Sequence, residues 1–207
     1  MVVTCLYAGK PELQAKVEEI TRVHQNNERA VAFAAATAVL MESLLTGGSL
    51  TESMTKSAEA IEKTELVKKD EVASAYSRAK EAFDGGELEK LMLDLSHELM
   101  KDKPDSPFYD LAGRSCALPG SFIVPAYLMH KAEAEGLEDA FVKLQRANIL
   151  ASGDTCSRGI LIGALIGAST GTVPESWLAK VDPDTMAKID AAAEKIADHA
   201  IATCPAE

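Results

Sequence analysis

The chain has 207 residues, with 21 Lys and Arg against 32 Asp and Glu and a formal charge of −11, and its isoelectric point near 4.9 excludes electrostatic binding of nucleic acid as a default role. One domain of this length buries roughly 70% of the surface its unfolded form exposes, enough for a core without disulfide or metal staples. Hydrophobic residues make up 47% and aromatics only 5%, so Ala, Leu, Ile, Val and Met must fill that core.

Periodicity predicts helix almost throughout. From Pro11, Leu13, Val17 and Ile20 recur at helical spacing, Gln25, Asn26 and Asn27 interrupt, and a second apolar segment over residues 30–45 closes at Gly47-Gly48. Ser49 and Glu52 have the spacing of a capping box, which starts a third helix carrying Met54, Ala58 and Ile61. Tyr76, Ala79 and Phe83 form the stripe of a fourth helix that stops at Gly85-Gly86. Leu88, Leu91, Met92, Leu95 and Leu99 form that of a fifth, limited by Pro104. Residues 102–120 read as a long irregular loop.

Residues 122–135 then read as helical, with Pro125 kinking the helix or marking a late start. In residues 137–150, Phe141, Leu144, Ala147 and Ile149 are expected on one face. A further helix follows over 155–169, in which Gly159, Gly163 and Gly167 leave a flat strip for the close approach of another backbone. Asp182-Pro183 opens the last helix by the N-cap and N1 rule, with Met186, Ile189, Ala193, Ile196 and Ala200 as its buried face. No segment alternates with period two, so the expected fold class is all-α, a compact multi-helix bundle forming a single domain over 1–207.

Cys5, Cys116, Cys156 and Cys204 are widely spaced, without a C-x-x-C pair, which suits a reducing compartment better than a disulfide framework. Residues 1–10 lack the basic and apolar regions of a leader, and the longest apolar runs, 30–41 and 160–168, fall short of a membrane span. The expectation is a soluble cytoplasmic protein with neither membrane nor nucleic acid as partner.

The segment richest in chemistry runs from Ala147 and Asn148 through Ser152-Gly153-Asp154-Thr155-Cys156-Ser157-Arg158 to Gly159, and is continued by residues 160–168. There one helix ends, a Gly-Asp turn follows and the glycine-striped helix begins, so Asp154, Cys156 and Ser157 converge near a helix N-terminus. Oxygen ligands on such a turn suit hard divalent ions. The same residues also suit an ordinary cap, because Asp is a favoured N-cap residue.

This segment, continued by Gly163-Ala164-Leu165-Ile166-Gly167-Ala168 and then by Gly171, Pro174 and Trp177, resembles the C-terminal signature of the ADP-ribosylglycohydrolase family. That signature comprises a G-G-D-x-D-[TS] turn, a G-A-x-x-G-A helix and G-x-x-x-I-P-x-x-W. Ile20 to His24 ahead of an Ala-rich helix is similar to the family's threonine-histidine turn, and Leu118-Pro119-Gly120-Ser121 sits where the family has its pre-motif helix.

The resemblance implies the family's compact all-α fold with a ligand cleft. It also implies hydrolysis of the glycosidic bond between ADP-ribose and a protein side chain or small molecule, with Mg or Mn as cofactor. Asp154 matches the first C-terminal metal aspartate and Ser157 the ligand after it. His24 matches a histidine lining the ADP-ribose pocket, although a polar residue closing a helix would read the same way.

Two departures stand against catalysis. Cys156 occupies the position of the second metal aspartate, replacing a hard anionic oxygen by a soft thiol. The family's N-terminal T-D-D-T motif has no counterpart, so the chain reads as truncated relative to the family, with a homo-oligomer or a missing-half partner expected. Arg158, four residues after Asp154, either pairs with it and stands in for the cation or simply faces solvent as an ordinary surface arginine. The alternative reading of the whole is a non-catalytic, crystallin-like relative with a binding or structural role. His97, His130 and His199 have no partners at metal-ligand spacing and read as structural.

Overall fold

The computed structural model describes residues 1–203, so the expectation that Cys204 is reduced concerns a residue outside it. Among the described residues there are eleven α-helices, one 3-10 turn and no strand. The chain opens with α1 (Val2–Tyr7) and α2 (Leu13–His24), and the Asn27 side chain then accepts from the backbone N–H groups of Arg29 and Ala30 to start α3 (Glu28–Leu45). The Ser49–Glu52 capping box forms in both directions at the head of α4 (Leu50–Glu62). Helix α5 (Lys69–Gly85) stops where expected, with Gly86 in the left-handed conformation that closes many helices.

Helix α6 (Leu88–Met100) leads into the irregular 102–119 loop, which contains the 3-10 turn Ala112–Arg114. The loop is pinned to α6 at Gly113. Its N–H donates to the Ser96 hydroxyl at 2.7 Å, and a Cβ there would stand 2.2 Å from the Met92 carbonyl oxygen. Helix α7 (Gly120–Glu135) runs continuously through the buried Pro125, and α8 (Ala140–Leu150), α9 (Thr155–Thr170), α10 (Glu175–Leu178) and α11 (Pro183–Thr203) complete the chain.

Helices α3, α4, α5, α6, α7 and α9 bury one continuous apolar core, with Phe122 edge-on to both Phe33 and Tyr76. Each fully buried Leu, Ile or Met in it contributes about 1.5–3 kcal/mol of apolar burial. A smaller cluster joins Leu13 and Val17 of α2 to Ala38 of α3, with Val3 and Tyr7 of α1 laid against it.

Several stripes differ from expectation. In α8, Ile149 and Leu150 are exposed, and Asn148 takes the buried position instead. Ile20 of α2 is also exposed. Helix α11 has no buried residue and leans chiefly on α1, so its apolar stripe is at most partly covered. The flat strip of α9 receives side chains of α8 rather than another backbone. Gln145 fills the space over Gly159 and Gly163, Phe141 adds to it at Gly163, and Gly167 faces open space. No helix among the described residues is long and apolar enough to cross a membrane.

Candidate functional site

The α8–α9 connection is built around two arginines and a buried amide. Gly153 adopts φ +72°, and a Cβ on it would lie 2.2 Å from the Arg114 carbonyl oxygen, so only glycine lets the turn lie flat on the 3-10 segment. The Asp154 N–H donates to that same carbonyl at 2.8 Å. Beyond it Asp154 caps α9, Oδ1 accepting from the Ser157 N–H at 3.1 Å and Oδ2 from the Ser157 hydroxyl at 2.8 Å. Those two bonds, the backbone one first, hold the Asp154 carboxyl below its ordinary range, and the charge of Arg158 adds a smaller pull in the same direction.

The expected ion pair between Asp154 and Arg158 is not made. Asp154 is half-buried with both carboxylate oxygens turned to Ser157, whereas the Arg158 side chain is fully buried. Its Nε donates to Asn148 Oδ1 at 2.8 Å, one terminal nitrogen to the Arg114 carbonyl at 3.0 Å, and the other to the Ser152 carbonyl. Burial lowers the Arg158 pKa from its ordinary value, the charge of Asp154 opposing and that of Arg114 adding to the shift. Asn148 completes the junction by donating from Nδ2 to the Thr155 carbonyl at 2.8 Å. Arg114 reaches across as well, donating to the Ala151 carbonyl at 2.7 Å and to Ser152 Oγ at 3.1 Å, and it pairs with Glu89 of α6.

Ser157 faces a groove between α2, α3 and α9. One stretch, about 550 Å³, is lined by residues of α1 together with Thr21, Ala34, Thr37, Ser157 and Leu161. The adjoining stretch, about 310 Å³, shares the last five and adds Phe33, Cys116, Ser121 and Phe122. Three hydroxyls in this groove have committed their protons: Thr21 to the Val17 carbonyl at 2.7 Å, Thr37 to the Phe33 carbonyl at 2.8 Å, and Ser157 to Asp154. Each therefore presents lone pairs to the groove and acts toward a ligand as an acceptor. No charged side chain lines either stretch among the described residues.

The expected residues are thus only partly brought together. Asp154 and Ser157 touch, and Ser157 reaches the groove. Cys156 lies exposed on the first turn of α9. His24 is exposed at the end of α2, and Thr21 and Gln25, rather than His24, line the groove. Sequence reasoning missed Arg114 and Thr37, gave Asn148 no role within its segment, and named Thr21 only as part of the turn ahead of His24. For Asn148 a signal existed, since a polar amide at a core register position of a helix demands partners. Of the histidines, His97 meets Asp110 at 3.1 Å and stacks on Tyr109, and His130 stacks on Phe83.

A hard divalent ion gathers several oxygens, usually including one or two carboxylates. Here the turn offers one carboxylate, both of whose oxygens are engaged as a helix cap, and a thiol in place of a second. No group of three or more His, Cys, Asp or Glu side chains among the described residues is placed to hold an ion. The donor set does not fit a magnesium or manganese centre.

Comparison with known proteins gives two findings. The family model described as ADP-ribosylglycohydrolase matches residues 1–206. Crystallin J1A of Tripedalia cystophora is 25% identical over 177 residues, covering 84% of this chain and 46% of the relative, so the chain spans less than half of that relative's length. No solved structure gives a match.

Proposed function

Because the chain belongs to the ADP-ribosylglycohydrolase family, we propose that its groove binds the ribosyl end of ADP-ribose, free or attached to a substrate, and that these residues do not carry out metal-assisted hydrolysis. The observation behind the reading is the state of the Asp154 turn. Its carboxylate is spent on capping α9, and the family's second acidic position is Cys156. A matched relative named as a crystallin supports a non-enzymatic use of the fold.

The groove's own chemistry suits a neutral, donor-bearing group. Sugar hydroxyls donate to Thr21, Thr37 and Ser157, whose lone pairs are turned outward, while Phe33, Phe122 and Leu161 offer an apolar wall to a base or ring face. With no charged side chain lining the groove among the described residues, a diphosphate finds no arginine or lysine to hold it there and stays in solvent, where the net charge of −11 repels it weakly.

Calorimetric titration with ADP-ribose, in EDTA and in manganese, tests this. The expected result is binding of equal strength in both, weakened about tenfold or more when Thr21 and Thr37 are both changed to Val, for two lost hydrogen bonds. A parallel release assay on ADP-ribosyl-arginine and ADP-ribosyl-serine is expected to show no turnover. Manganese-dependent release that disappears in D154A would overturn the reading.

A further inference from the structure

We infer that Arg158 is a built-in cation for the α8–α9 turn, doing from within the chain the organising work for which a turn of oxygen ligands otherwise needs a divalent ion. The inference extends the metal-independent reading above to the residue responsible.

Four observations carry it. The guanidinium is fully buried, yet the three oxygens to which it donates are all uncharged. Those oxygens come from three separate pieces of chain: Asn148 in α8, the Ser152 carbonyl in the turn and the Arg114 carbonyl in the 3-10 segment. Carbonyl and amide oxygens of this kind are what a hard cation collects, and here a planar fork of donors reaches all three at once. Finally, the Ser152 carbonyl, together with Ala151 held by Arg114, follows directly on the C-terminal end of α8, where the helix dipole favours positive charge.

The consequence reaches the groove through the turn. The Arg114 carbonyl that accepts from Arg158 also accepts from the Asp154 N–H, which places the carboxylate that fixes Ser157. Arg158 is thus a positioning residue for the Ser157 hydroxyl and touches no ligand itself.

Amide hydrogen exchange of the ligand-free protein, read at Asp154 and Ser157, tests the inference apart from any question of ADP-ribose binding. The wild type is expected to show the same protection in EDTA and in manganese, and the manganese EPR spectrum is expected to remain that of the free ion. In R158K the charge stays, but an ammonium cannot span three segments. Exchange at those two amides should then rise about tenfold or more, while the α4 amides keep wild-type rates.

R158K with unchanged protection at both amides overturns the inference. So does a wild type whose protection rises with manganese and loses that response in D154N, an outcome that needs no variant of Arg158 to fold. Failure of ADP-ribose to bind, with these exchange results intact, would sink the proposed ligand and leave the role of Arg158 standing.

Discussion

Replacing Asn148 by Ala removes the amide that joins two helices and an arginine. Its side chain is 1% exposed, so water does not replace what is lost. The Arg158 Nε loses its acceptor at 2.8 Å and the Thr155 carbonyl loses its donor at 2.8 Å. A hydrogen bond to a charged group is worth about 1.5–3 kcal/mol and a neutral one about 0.5–1.5 kcal/mol, so N148A should cost about 3 kcal/mol. For a chain of this size that lowers Tm by about 6–12 °C.

Urea unfolding followed by circular dichroism measures the loss as a shift of midpoint at constant slope. N148D keeps an acceptor for the guanidinium but loses the donor to Thr155, and it should fall between wild type and N148A. An N148A protein within about 0.5 kcal/mol of the wild type, the range of an ordinary surface substitution, would refute the argument that this amide holds the junction.

Two further outcomes follow from the same geometry. In G153A the left-handed backbone costs about 1–2 kcal/mol, and the new Cβ meets the Arg114 carbonyl, so chemical denaturation should show a loss above about 2 kcal/mol; wild-type stability in G153A would contradict the close approach. His130 is half-buried against Phe83, and desolvation, with the neighbouring Lys80 charge adding and Asp84 opposing, lowers its pKa below the ordinary 6.5. The unfolded chain therefore binds the proton more readily, and the wild type loses stability as pH falls through 6.5 toward the folded value. H130Q should flatten that part of the profile, and an unchanged slope in H130Q would remove His130 as its source.

Much of the fold is legible because its signals are local. The Ser49–Glu52 box, the Gly85-Gly86 stop and the Asp154 cap each act within a few residues, and each forms as spacing predicts. What escapes prediction depends on partners distant in sequence. Hydrophobicity places Ile149 on the buried face of α8, but Asn148 is buried instead because Thr155 and Arg158, in the next helix, satisfy both ends of its amide. Spacing directs the Arg158 side chain to the carboxylate four residues away, whereas its acceptors lie on another helix, a turn and a loop. Thr37 looks like an unremarkable helix residue, and Thr21 like a mere neighbour of His24, until α2, α3 and α9 are brought together. Helix α11 has the pattern of a core helix and no core to join.

The resting place of α11 bears on the order in which the molecule is finished during synthesis. It leans on α1, whose first residues form one lip of the groove, although the two are separated by almost the entire chain. Chains fold progressively as they leave the ribosome, so α1 waits for this brace until α2 to α10 have emerged. Until then α1 rests on α2 and α3, and that lip of the groove receives its second support late.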